Sequence, residues 1–87
     1  MASRKKTKEI TLAQAFGITV KKYREKTGMT QDQLAFTAKI DRSYTSQIER
    51  GIKNVTLPFV WQLAEALKVR PSELIQATER HWRQANK

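Results

Sequence analysis

The stretch TQDQLAFTAKIDRSYTSQIERG, Thr30 to Gly51, limits what this chain can fold into more than any other part of it. It reads as two short helices with a tight break between them. Thr30 and Gln33 have the spacing of a capping box, in which a hydroxyl and an amide satisfy each other's backbone donors. Leu34, Ala35 and Ala38 form the inward side of the first helix, and the two alanines let another helix come close. Phe36 falls on the opposite side, either partly exposed or covered from outside the segment. Lys39 and Ile40 make the break, and Asp41 is a good N-cap for a second helix running to Arg50. Thr45 and Ile48, three apart, turn inward, and Gly51 ends the helix. Left outside is a face of Arg42, Ser43, Ser46, Gln47 and Arg50 that no core would accommodate.

The same reasoning extends along the chain. From about Thr11 the pattern is helical. Leu12, Phe16, Val20 and Tyr23 recur at spacings of four, four and three on one face, with Lys21, Lys22 and Lys26 on the other. Gly28 stops this helix, because a left-handed residue there has no Cβ to clash. Gly17 reads as a weak point, worth up to about 1 kcal/mol against alanine. Ile52 to Val55 form a loop. Thr56 is placed to cap a fourth helix with Leu57, Val60, Leu63, Ala64 and Leu67 as its core stripe. Pro71 opens a fifth, through Leu74, Ile75, Thr78 and Trp82 to a frayed end. Five helices with short connections predict a compact all-α fold. Residues 1–10, with Arg4, Lys5, Lys6 and Lys8, read as a flexible basic arm. That arm is either a solvated tail or a segment that follows DNA. Residues 11–87 form the folded domain.

Composition narrows the function. A chain of 87 residues has room for one core. There is no cysteine, hence no disulfide framework and no thiolate metal site. No apolar run approaches the roughly 18 residues of a membrane span, and the N-terminal residues lack the apolar stretch of a secretory signal. A cytoplasmic location is expected. Seventeen Lys and Arg against eight Asp and Glu favour a polyanionic partner, nucleic acid before an anionic membrane surface. Catalysis has little to stand on. His81 is the lone histidine, the three glycines build no phosphate loop, and Asp32, Asp41 and Glu49 are explained as helix-terminus or ion-pair residues. No catalytic residue, metal or cofactor is expected. The second helix of the opening segment is the better candidate. Arginine can grip guanine O6 and N7 with two bonds, and glutamine can do the same to adenine N6 and N7. Arg42 and Ser43 lie in its first turn, where recognition helices contact bases.

The words G-M-T-Q-x-x-L-A, then S-x-x-S-x-I-E-R-G and N-x-T-L, resemble the helix-turn-helix core of phage-repressor-like regulators, the Xre family, over roughly Phe16 to Leu74. The aromatic after Leu34-Ala35 and the run Asp41-Arg42-Ser43-Tyr44 resemble most the restriction–modification controller proteins. The resemblance implies a lambda-repressor-like five-helix domain with the helix-turn-helix in helices 2 and 3. It implies base reading by Arg42, Ser43, Ser46 and Gln47. Gln31 matches a phosphate-binding glutamine, and Arg50, Lys53 and Asn54 match a backbone-contacting loop. Tyr44 matches a tyrosine near the DNA backbone, although it could equally pack on helix 4. Arg24 and Glu49 match a buried structural ion pair. Three positions depart from the pattern. Lys39 replaces glycine at the turn, Thr45 replaces a branched aliphatic, and Val55 stands where proline is common.

Members of this family bind as two-fold dimers on palindromic sites. Phe59, Trp61, Ile75, Thr78 and Trp82 on helices 4 and 5 are the expected homodimer interface, since they exceed what so small a monomer readily buries. The sequence thus reads as a sequence-specific transcriptional regulator. An antitoxin-type or other partner-binding regulator on the same fold, and a non-specific nucleic-acid binder, are the alternatives.

Overall fold

A computed structural model describes residues 9–87. Residues 1–8, most of the expected basic arm, lie outside them. The described chain is five helices: α1 (Leu12–Thr27), α2 (Gln31–Ala38), α3 (Arg42–Glu49), α4 (Leu57–Leu67) and α5 (Pro71–Ala85). Among the described residues there is no strand, and no helix is long and apolar enough to cross a membrane.

Local chemistry sets the boundaries. Thr30 and Gln33 form the expected capping box, with reciprocal bonds of 3.1 and 2.8 Å. Thr11 and Gln14 form a second at the start of α1, with bonds of 3.0 and 2.8 Å, which the sequence reading does not pick out. Thr56 occupies the N-cap position of α4, but its side chain makes no capping bond. The expected cap is absent, and Pro58 in the first turn leaves one fewer backbone donor to satisfy. Three helices end alike, on a left-handed residue followed by an apolar one that packs on the core: Gly28–Met29, Lys39–Ile40 and Lys68–Val69. At each of these ends two amides close back onto the last turn at 3.0 to 3.2 Å.

The core is built from Phe16, Val20, Leu34, Ile48, Leu63, Leu67 and Leu74, with alanines filling the close crossings. Helix α1 is the hub, packed against α3, α4 and α5. Its inward face differs from the expected one. Ala15, Phe16, Thr19 and Val20 are buried, whereas Leu12 is exposed. A helix covered on several sides needs small residues there, and each step of four turns the stripe by about 40°, which carries Leu12 out of it. Leu57 is likewise exposed at the open start of α4 rather than part of its core stripe.

Gly17 also departs from expectation. A Cβ added there would stand 2.3 Å from the Ile48 carbonyl oxygen and 2.8 Å from that of Glu49. It is the missing side chain that lets α1 touch the backbone of α3. Nor does α5 fray. The Asn86 side chain takes the Ile10 amide at 2.9 Å and donates to the Ile10 carbonyl at 3.1 Å, joining the two ends of the described chain.

Candidate nucleic-acid interface

Helix α3 is held from beneath. Thr45 and Ile48 are fully buried, and the Thr45 hydroxyl donates back to the Asp41 carbonyl at 3.2 Å. Asp41 caps the helix. Its Oδ2 accepts from the Ser43 hydroxyl at 2.6 Å and from the Ser43 amide at 3.2 Å. Those two bonds hold its carboxyl below the usual range.

The outward face carries the residues picked from the sequence. Arg42 and Ser43 are exposed at its start, and Ser46 and Gln47 are half-buried along it. Arg50 is exposed at its C-cap, and Lys53 and Asn54 are exposed in the loop beyond. The four base-reading candidates thus lie on α3 and Arg50 at its end, while Lys53 and Asn54 follow exposed Ile52 and also border an apolar cleft with Leu57 and Ile75.

A buried carboxylate ties this surface to the rest of the molecule. Glu49, at 2% side-chain exposure, receives Arg24 Nε at 2.6 Å and Arg24 Nη2 at 3.0 Å. Arg24 Nη1 donates to the Met29 carbonyl at 2.9 Å, just before α2. The bonds to Glu49 raise the arginine's pKa above its ordinary value. Gln31 joins the same group, its Nε2 donating to Glu49 Oε1 at 2.9 Å. One of its two amide N–H groups is therefore taken inward, and the other is left for an anion beside the start of α2. Nothing about Gln31 in the sequence signals that tether.

The residues expected at a dimer interface separate into two groups. Trp61, Ile75 and Trp82 are exposed, at 52%, 46% and 38%. Thr78 reaches that surface only at the floor of the cleft beside Ile75. It is buried, its hydroxyl donates to the Leu74 carbonyl at 2.8 Å, and it lies 3.2 Å from the Thr19 hydroxyl. On α5 it sits one turn from Leu74, inside the α1–α5 contact. Phe59 is half-buried and packs within the protomer on Tyr44, ring centres 5.0 Å apart and planes at 58°. That contact joins α3 to α4 and takes the packing alternative for Tyr44. Two apolar residues assigned to the core, Leu12 and Leu57, instead line a shallow cleft with Val55 and Ile75. The spacing of Leu57 to Trp61, four residues, points to that outer stripe.

Asp32, expected as a helix-terminus or ion-pair residue, is both. It lies in the first turn of α2, and its Oδ1 faces Arg42 Nε at 3.3 Å. Among the described residues no cluster of His, Asp or Glu could hold a metal ion.

Two helices locked at a tight turn, the second with a buried underside and a polar outer face, define a helix-turn-helix protein. The helix-turn-helix family matches residues 20–74. The control protein C.BamHI of Bacillus amyloliquefaciens is 41% identical over 64 residues, covering 72% of this chain and 79% of that one. The restriction–modification controller protein C.AhdI of Aeromonas hydrophila superposes with a TM-score of 0.70 at 40% identity, over 71% of this chain and 94% of that one. The controller C.Esp1396I, solved as a tetramer on its natural 35 base-pair operator, gives 0.76 at 30% identity, over 85% and 97%. The chain belongs to the helix-turn-helix family, among the restriction–modification control proteins.

Proposed function

We propose that this protein is a controller-type transcriptional regulator that binds a palindromic operator as a homodimer in the cytoplasm. It is a binding protein and not an enzyme. The observation that carries the reading is α3 itself. Thr45 and Ile48 fix its underside, and Arg42, Ser43, Ser46 and Gln47 occupy its outer side with no folding task that requires all of them. Arg42 and Gln47 are the side chains suited to bidentate base contacts. Gln31, Arg50, Lys53 and Asn54 hold the phosphates on either side, with Tyr44 behind them on Phe59. Residues 11–87 act as the DNA-binding domain, and the basic arm of residues 1–10 adds charge along the backbone. Trp61, Ile75 and Trp82, joined by Leu12 and Leu57, supply the apolar surface for the second copy. Operator occupancy then follows protein concentration through dimerisation.

The test is a titration of the purified protein against a duplex selected from a random pool and against its scrambled counterpart, at about 150 mM salt. The selected duplex should be a two-fold repeat with half-sites about one helical turn apart. Arg42→Ala should weaken binding to it by about 1–3 kcal/mol and change the scrambled duplex far less. Equal affinity of the unaltered protein for both duplexes would overturn the operator reading.

A further inference from the structure

Asp32 and Arg42 face each other across the turn at 3.3 Å, Oδ1 to Nε, with side chains 76% and 60% exposed. So exposed a pair contributes little to folding. The helix dipole would favour an acid in the first turn of α2 whether or not it met Arg42. A carboxylate on this surface also opposes phosphate binding. It lies next to Gln31 and beside the base-reading end of α3, in a chain whose net charge is +9. Helix stability accounts for an acid in this turn, but neither it nor overall affinity accounts for its place against Arg42.

The geometry of the arginine does. The carboxylate sits at Nε, on the inner edge of the guanidinium. The contact is a charge pairing without a hydrogen bond; no guanidinium nitrogen of Arg42 has a hydrogen-bond partner among the described residues, and Nη1 and Nη2 form the end of the fork that grips guanine O6 and N7. An arginine is a long side chain with much rotamer freedom, lost when it must meet one base. A carboxylate held beside Nε biases those rotamers beforehand by its charge and leaves the two-bond end available. Asp41 does not serve this purpose, because its carboxylate is occupied by Ser43.

We propose that Asp32 is a positioning residue that aims the Arg42 fork and so sets the preference for guanine at the base Arg42 reads. This rests on the reading of α3 as the base-reading helix. Asp32 has two opposed effects. It sharpens the contact with guanine and, through its charge, it lowers affinity for DNA of any sequence. Removing the charge at constant shape should therefore lower the preference for guanine without lowering non-specific binding.

The experiment uses the full chain and the Asp32→Asn, Asp32→Glu and Arg42→Ala variants. Each is titrated by fluorescence anisotropy against the selected operator, the scrambled duplex, and an operator with one guanine changed to adenine. That guanine is the position at which Arg42→Ala loses its preference. A good two-bond contact discriminates by roughly 5- to 140-fold. Asp32→Asn should cut the guanine-over-adenine preference at least about threefold while binding the scrambled duplex as tightly as the unaltered protein or several-fold tighter. Asp32→Glu, which keeps a carboxylate within reach, should retain the preference. An equal gain on all three duplexes would make Asp32 a charge and nothing more, and would overturn the proposal. An unchanged preference in Asp32→Asn would overturn it too. If the unaltered protein fails to separate operator from scrambled duplex, it is the function reading that fails, which the first titration alone reveals.

Discussion

Gln31 Nε2 donates to Glu49 Oε1 at 2.9 Å, so the first residue of α2 is fastened to the last residue of α3. Arg24 holds the same carboxylate from α1. Three helices thus converge on one buried acid, and the orientation of α3 against the other two depends on it.

Glu49→Gln should therefore destabilise strongly. Arg24 would be left buried and uncompensated, a loss of about 3–5 kcal/mol. For a chain of this size each kcal/mol lowers the midpoint by roughly 4–8 °C. Thermal unfolding followed by circular dichroism measures this. A drop of only a degree or two would show that Arg24 finds another partner.

Gly17→Ala sets two effects against each other. Alanine improves helix propensity by at most about 1 kcal/mol. Its Cβ would stand 2.3 Å from the Ile48 carbonyl oxygen, and backbone cannot rotate away. Overpacking of this kind costs about 1–3 kcal/mol, so the clash prevails. The unfolding midpoint should fall, and operator affinity should fall with it as α3 is pushed outward. A raised midpoint would refute the close approach.

Lys68 ends α4 at φ 62°, ψ 40°, in the left-handed region. A side chain there is strained, and glycine is not. Lys68→Gly should raise stability by about 1 kcal/mol in urea titration and leave operator binding unchanged, since Lys68 is not among the residues proposed to meet DNA. Lys39 has the same angles, φ 62° and ψ 41°, but it ends α2 at the turn into α3 and would confound the comparison.

His81 gives a pH dependence. Burial lowers its pKa from the ordinary 6.5, and the charges of Lys22 and Arg80 lower it further. Tyr23 and Lys26 line the same groove. The folded protein takes up the proton less readily than the unfolded chain. The His81 contribution is therefore fully present above about pH 6.5 and is lost as pH falls below it. His81→Gln should flatten the stability profile over that window. A profile equally steep without the histidine would assign the slope to other groups.

The fold was legible where the backbone has few choices. Thr30 with Gln33, Asp41, Gly28 and Pro71 mark helix ends through bonds or angles that only certain residues provide, and those ends stand where the sequence put them. The errors came where one pattern permits two orientations. Leu12 and Leu57 sit at the edges of helical stripes, and a rotation of about 40° moves such a residue between core and solvent. Hydrophobicity suggested that Leu12 and Leu57 face inward. Thr78, grouped with the interface residues because the set exceeds what so small a monomer readily buries, is itself mostly buried, its hydroxyl satisfied on its own helix. Gly17 was unreadable for another reason. A glycine in a helix looks the same in sequence whether it is a weakness or the place where another backbone lies against it. The surface of α3 was legible because folding alone does not require a polar face of this kind over a buried underside. The pairings of Gln31 with Glu49 and of Asp32 with Arg42 belong instead to tertiary structure.

The Asn86–Ile10 clamp makes the described chain a closed circuit. Helix ends ordinarily unravel as two independent local openings. Here the start of α1 and the finish of α5 share the bonds that hold them, so neither can peel away without loosening the other. Amide exchange near Ala15 and near Asn86 should then rise and fall as one event, the two extremities breathing together.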